Sequence, residues 1–136
     1  MPVPTPRIAI DVGLTVTNME RSLHFYRDLI GLTVVAEMTT TLIGKGRMLQ
    51  LKHGESLLKL VELENIPPRQ GSPGIGMGLG YRYITLLVSN IDKIMTKLEQ
   101  ETVAMVIPAT QLNNGATIAM VTDPDGNIIE FVQEIS

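Results

Sequence analysis

Two stretches of this chain repeat each other. Leu14-Thr15-Val16-Thr17-Asn18-Met19 matches Leu86-Leu87-Val88-Ser89-Asn90-Ile91 at an offset of 72 residues, Leu14 to Leu86. The apolar stripe Met19, Leu23, Tyr26 then returns as Ile91, Met95, Leu98 at the same offset, in both copies at helical spacing. Further on, Glu55-Ser56-Leu57-Leu58-Lys59 superposes on Gly126-Asn127-Ile128-Ile129-Glu130 at an offset of 71, Lys59 to Glu130. A repeat of this length means two copies of one supersecondary unit, which removes most folds open to a chain of 136 residues.

Each copy reads as a strand, a helix and three strands. Ile8, Ile10, Val12, Leu14 and Val16 alternate with Ala9, Asp11, Gly13 and Thr15, which predicts a strand over 8–16. Asn18 suits the N-cap of a helix over Met19–Ile30, and Gly31 suits its left-handed end. Strands are expected near Leu32–Met38, Met48–His53 and Leu57–Leu63, then near Met105, Thr117–Thr122 and Asn127–Gln133. Asn113-Asn114-Gly115 reads as a hairpin turn. Asp123-Pro124-Asp125-Gly126 is a tight turn, because Pro124 presets φ and Gly126 admits positive φ. The strand after it carries Glu130 between Ile128 and Val132, where an ionised carboxylate needs a donor, a cation or water.

Residues 1–7 form a Pro-spaced arm, expected to be extended. Residues 65–80, NIPPRQGSPGIGMGLG, hold too many Pro and Gly for regular structure and read as a linker. The expected organisation is one domain over 1–136, with a first module at about 8–64 and a second at about 81–134. The linker glycines are misspaced for a dinucleotide fingerprint and lack the Lys-Ser/Thr ending of a phosphate loop.

Composition narrows the function. The net charge of −3 and pI near 5.3 argue against a nucleic-acid footprint. No apolar run reaches membrane-span length and Met1–Arg7 lacks a signal-peptide pattern, so a cytoplasmic protein is expected. With no cysteine there is no thiolate chemistry. Aromatics are 4% against 8 methionines, which suits an aliphatic, adaptable pocket.

Val12-Gly13-Leu14-Thr15-Val16, Ser22-Leu23-His24-Phe25-Tyr26-Arg27-Asp28-Leu29-Ile30-Gly31-Leu32 and Asp123-Pro124-Asp125-Gly126-Asn127-Ile128-Ile129-Glu130-Phe131 together resemble the vicinal oxygen chelate superfamily. That group includes glyoxalase I, extradiol dioxygenases and bleomycin-binding proteins. The resemblance implies an α+β fold of two βαβββ modules forming a half-open curled-sheet cup. It also implies metal ligands on the first and last strand of each module, which fall here at Asp11, Lys59, Tyr83 and Glu130. Only Glu130 matches the family pattern, and a charged lysine cannot ligate. No cofactor is therefore expected. A divalent metal, if bound, would be left to Asp11, Tyr83 and Glu130. His24 on the helix and His53 at a strand end are expected to be solvated structural residues.

Four outcomes stay open on this reading. Asp11, Lys59 and Glu130 stand among small or apolar strand neighbours, so one outcome is an ion-pair cluster with Lys59 neutralising the carboxylates. A second is a metal-independent lyase or isomerase working through an enolate. In it Lys59 polarises an oxygen, Glu130 or Asp11 is the base, Tyr83 the acid, and Arg69 and Arg82 bind substrate. The alternative is a bleomycin-resistance-like protein that binds a partly apolar small molecule without turnover, and a further one is a metal-dependent glyoxalase or dioxygenase with an unusual ligand set. The resemblance also implies a homodimer.

Overall fold

The computed structural model describes residues 2–69, 71 and 74–135. The chain divides into two compact units between Pro68 and Arg69. Both units have the same plan. The first runs β1 (Val12–Thr15), α1 (Met19–Leu23), β2 (Thr33–Thr40), β3 (Gly46–His53) and β4 (Ser56–Leu63). The second runs β5 (Tyr83–Leu87), α2 (Ile91–Gln100), β6 (Met105–Gln111), β7 (Thr117–Thr122) and β8 (Ile128–Gln133). The sheets are ordered β1-β4-β3-β2 and β5-β8-β7-β6. In each, the first strand lies parallel to the last and the other pairs are antiparallel. This is the paired βαβββ fold expected from the repeat.

The register reproduces the offsets. Gly13 pairs with Lys59 and Leu14 with Leu60, while Thr85 pairs with Glu130 and Leu86 with Phe131. Val16 N–H donates to the Val61 carbonyl at 2.8 Å and Val88 N–H to the Val132 carbonyl at 2.9 Å. Each last strand also holds its helix by a side chain. Met19 N–H donates to Glu62 Oε2 at 2.6 Å, and Ile91 N–H donates to Gln133 Oε1 at 2.9 Å. These bonds satisfy donors that a helix start leaves orphaned. Asn18 also caps α1 by accepting from Arg21 N–H at 3.0 Å, whereas the Asn90 side chain makes no cap bond on α2.

After Leu23 the first helix continues as π-helical turns over His24–Ile30 and stops at Gly31, whose φ is 103°. The wider turns bring Phe25 and Leu29 into the core beside the expected stripe of Met19, Leu23, Tyr26 and Ile30. Phe25 and Tyr26 meet edge to face, centroids 4.8 Å apart. In the second unit Ile91, Ile94, Met95 and Leu98 pack on the face of β8 that carries Ile129 and Phe131. Burying each such side chain stabilises by roughly 1.5–3 kcal/mol.

Two expectations are corrected. Alternation predicted a strand from Ile8, but β1 begins at Val12, and Ile8 and Ile10 are 88% and 81% exposed. Their segment is held by side chains: Ile10 N–H reaches Ser56 Oγ at 3.3 Å, and Arg7 donates to the Glu55 carbonyl. The arm, expected to be extended up to Arg7, bends at Pro6–Arg7 instead. Arg7 also meets Asp11, with Nη2 at 2.7 Å from Oδ2.

Candidate functional site

Strand alternation sorts every residue of β4 and β8 onto one of two faces. Leu58, Leu60 and Glu62 lie on the α1 side, so Leu57, Lys59 and Val61 lie on the other. Likewise Ile129, Phe131 and Gln133 face α2, and Ile128, Glu130 and Val132 face away. The sequence-expected site residues Lys59 and Glu130 thus occupy equivalent positions on the helix-free face of their own sheets.

In the first unit Lys59 lies between Gly13 on β1 and Gln50 on β3. Within that unit Lys59 Nζ makes no hydrogen bond or ion pair with a described residue. Asp11 is fully engaged. Its Oδ1 accepts from Leu57 N–H at 2.9 Å, and its Oδ2 sits 2.7 Å from Arg7 Nη2. The Arg7 hydrogen bond, then that of Leu57, hold the Asp11 carboxyl below the usual aspartate range, with a smaller contribution from the Lys59 charge. Such a group stays ionised and is a weak base. The expected ion-pair role of Lys59 toward Asp11 therefore falls mainly to Arg7, a residue the sequence reading had assigned to the arm.

In the second unit Glu130 lies between Thr85 and Met120. Thr85 Oγ1 donates to Glu130 Oε1 at 2.6 Å. Tyr83 pairs with Ile128, one row from Glu130, and is 47% exposed. The turn that aims β8 is built on the buried Asp123 carboxylate. Its Oδ1 accepts from Asp125 N–H at 2.9 Å and Asn127 N–H at 2.8 Å, and its Oδ2 from Asn127 Nδ2 at 3.0 Å. Gly126, with φ of 85°, closes the turn.

The two arginines expected to bind substrate touch loops. Arg69 Nη1 donates to the Asp125 carbonyl at 2.8 Å and Asn127 Oδ1 at 3.3 Å, tying the linker to that turn. Arg82 donates from Nη1 to the Gly74 carbonyl at 3.2 Å and from Nη2 to the Leu79 carbonyl at 3.3 Å. A Cβ on Gly78 would lie 3.4 Å from Arg82 Nη2. The glycine-rich segment thus turns carbonyls toward a guanidinium, the reverse of a phosphate cradle, where amides converge.

The family implies a divalent metal, and the residues present do not fit one. Both Asp11 oxygens are taken, Lys59 is a cation, and in neither unit do the described residues gather three His, Asp or Glu side chains. His24 Nδ1 is 3.3 Å from Asp28 Oδ2 on the helix, and His53 ends β3.

Comparison with known proteins places this geometry. The model of the Glyoxalase/Bleomycin resistance protein/Dioxygenase superfamily matches residues 8–131. A probable lactoylglutathione lyase of Synechocystis sp. is 28% identical over 131 residues, covering 90% of this chain and 92% of that protein. A glyoxalase family protein from Bacillus cereus superposes with a TM-score of 0.80 at 18% identity, over 98% of this chain and 97% of that one. A lactoylglutathione lyase from Agrobacterium tumefaciens gives 0.62 at 22% identity, over 95% and 96%. With a family model spanning nearly all of it and the paired βαβββ topology in both halves, the chain belongs to the glyoxalase/bleomycin resistance protein/dioxygenase superfamily.

Proposed function

We propose that this protein is a metal-independent lyase or isomerase acting on a small molecule that carries an enolisable carbonyl. The observation that carries the reading is the state of Lys59. It stands where the family resemblance implies a ligating carboxylate, and its ammonium is uncommitted within its unit while Asp11 is claimed by Arg7 and Leu57. An ammonium at such a position stabilises negative charge developing on oxygen, the task of a Lewis acid. In this reading Glu130 serves as base and takes the proton from the carbon beside the carbonyl, the electron pair moves onto the carbonyl oxygen, and the role of Lys59 is to supply positive charge to that oxygen. Tyr83 returns a proton to carbon. Asp11 is left out of the proton transfers because the Arg7 and Leu57 hydrogen bonds that hold its carboxyl ionised also make it a weak base. Arg69 and Arg82 hold loop oxygens and bind substrate only if they exchange those partners for it.

The second reading, ligand binding without turnover, is favoured by one observation. Glu130 is bordered by Ile128, Val132 and Met120, and Lys59 by Leu57 and Val61, surroundings suited to an apolar body. Proton exchange separates the two. Chelator-treated protein is incubated in deuterated buffer with a panel of 2-oxo acids, 2-hydroxy acids and acyl thioesters, and deuterium at the α-carbon is followed by NMR. Enzyme-catalysed exchange lost in both Lys59→Met and Glu130→Gln supports the enzyme. Saturable binding with no exchange supports the binder. We also propose a cytoplasmic homodimer, since β1 and β5 are edge strands whose open ladders need cover. Light scattering should then give twice the chain mass of 14.9 kDa.

A further inference from the structure

The helix-free face of the first sheet carries more charge than the four expected site residues account for. Gln50 pairs with Lys59 and Lys52 with Leu57, so Gln50, Lys52 and Lys59 project from the same face. Neither lysine has a hydrogen bond or ion pair to a described residue of its unit. The nearby carboxylate, Asp11, is cancelled by Arg7 at 2.7 Å. Glu37 and Glu62 belong to the opposite face, where Arg47 meets them at 3.6 Å and 3.2 Å. Glu55 stands in the β3–β4 turn, close enough to act on Arg7. Lys52 and Lys59 are thus two ammonium groups without an ion-pair partner among the described residues on one face of a chain whose net charge is −3, with Glu55 in the turn as the one further carboxylate of that end.

The floor beside them is open. Gly13 is the other neighbour of Lys59, and a Cβ built there would meet nothing within 4 Å. Neighbouring strands lie about 4.8 Å apart and two residues span about 6.7 Å, so the Lys52 and Lys59 backbones are roughly 8 Å apart on the diagonal. Four-carbon stems let both ammonium groups converge on one group between them, with the Gln50 carboxamide as a further donor.

We propose that Lys52, Gln50 and Lys59 form a seat for a doubly charged anionic headgroup, a dicarboxylate or a phosphate monoester, lying between β3 and β4 with the open floor of Gly13 on the far side of Lys59. This deepens the function proposed above and depends on it only in placing Lys59 at the ligand. A single carboxylate leaves one lysine uncompensated; a dianion answers both. Apolar Leu57, Val61 and Met48 border the seat and accept the uncharged part of the molecule.

The test uses the full chain and three probes at matched ionic strength: malonate, inorganic phosphate and acetate, followed through the lysine Cε–Hε NMR signals. Malonate or phosphate should shift the Lys52 and Lys59 signals at concentrations about tenfold below acetate, and whichever of the two binds more tightly names the headgroup. Lys52→Met and Gln50→Leu should each weaken that binding, Lys52→Met by about tenfold, and Lys52→Arg should restore it. Equal response to all three anions, or undiminished binding in Lys52→Met with an unchanged circular dichroism spectrum, overturns the seat. Dianion binding without any carbon-proton exchange keeps the seat and removes the enzymatic reading. Exchange activity without dianion preference does the reverse.

Discussion

Thr85 and Glu130 are register partners on parallel strands, and the Thr85 hydroxyl donates to the Glu130 carboxylate across 2.6 Å. The bond fixes which way the carboxylate faces without neutralising it. Thr85→Val keeps the shape and removes the donor. Because the pair faces solvent, the loss in urea unfolding should be about 1 kcal/mol or less. Any α-proton exchange should fall much further, since an unaimed base loses rate before the fold loses stability. Thr85→Ser should retain both.

The Glu62 and Gln133 tethers predict a paired effect on stability. Glu62→Ala strips the acceptor from Met19 N–H and a partner from Arg47, and should cost about 1–2 kcal/mol in chemical denaturation. Glu62→Gln keeps the acceptor and should recover most of it. Gln133→Ala loses one neutral bond and should cost about 1 kcal/mol. A null result in either would show that the helix start is satisfied by water.

Acid should find the Arg7–Asp11 pair late. The folded-state carboxyl lies below its ordinary value of 3.8, so the unfolded chain takes up the proton first. The pair's contribution is complete above that value and is lost as the pH falls through the lower, folded one. Asp11→Asn should flatten the stability profile in that acid window and leave its slope near neutrality unchanged. Asp28, depressed by Arg27, titrates in the same region and is common to both proteins, so the difference curve isolates Asp11.

Ser22 is fully buried, and its hydroxyl has no hydrogen-bond partner among the described residues. Ser22→Ala should therefore be neutral or stabilise by up to about 1 kcal/mol, with alanine's better helix propensity acting the same way. A lower thermal midpoint would mean that an acceptor or a bound water serves the hydroxyl.

Sequence carried the fold because the repeat, the Asn18 and Gly31 helix ends and the Asp123–Gly126 turn are local devices, each with its own chemical signature. It overextended β1 because period-two alternation is the same for a paired strand and for an exposed approach such as Ile8–Ile10. The residues flanking the site were harder to see. Arg7 meets Asp11 through long side-chain reach in a segment that forms no strand, and no local pattern marks that pairing. Thr85 and Gln50 join Glu130 and Lys59 through register, which an offset between repeats does not supply. The π-helical widening of His24–Ile30 left no trace that separates it from an ordinary helix.

The alternation of β4 has an evolutionary consequence. Lys59 and Glu62 are three residues apart on one strand, yet one lies on the helix-free face and the other grips a helix. A substitution at position 59 or 130 therefore leaves the tethers at 62 and 133 untouched. Chemistry and scaffold vary as independent characters, twice over in one chain. A lineage can exchange a metal-binding carboxylate for a cation in a single heritable step and inherit an intact framework on which to select the new activity.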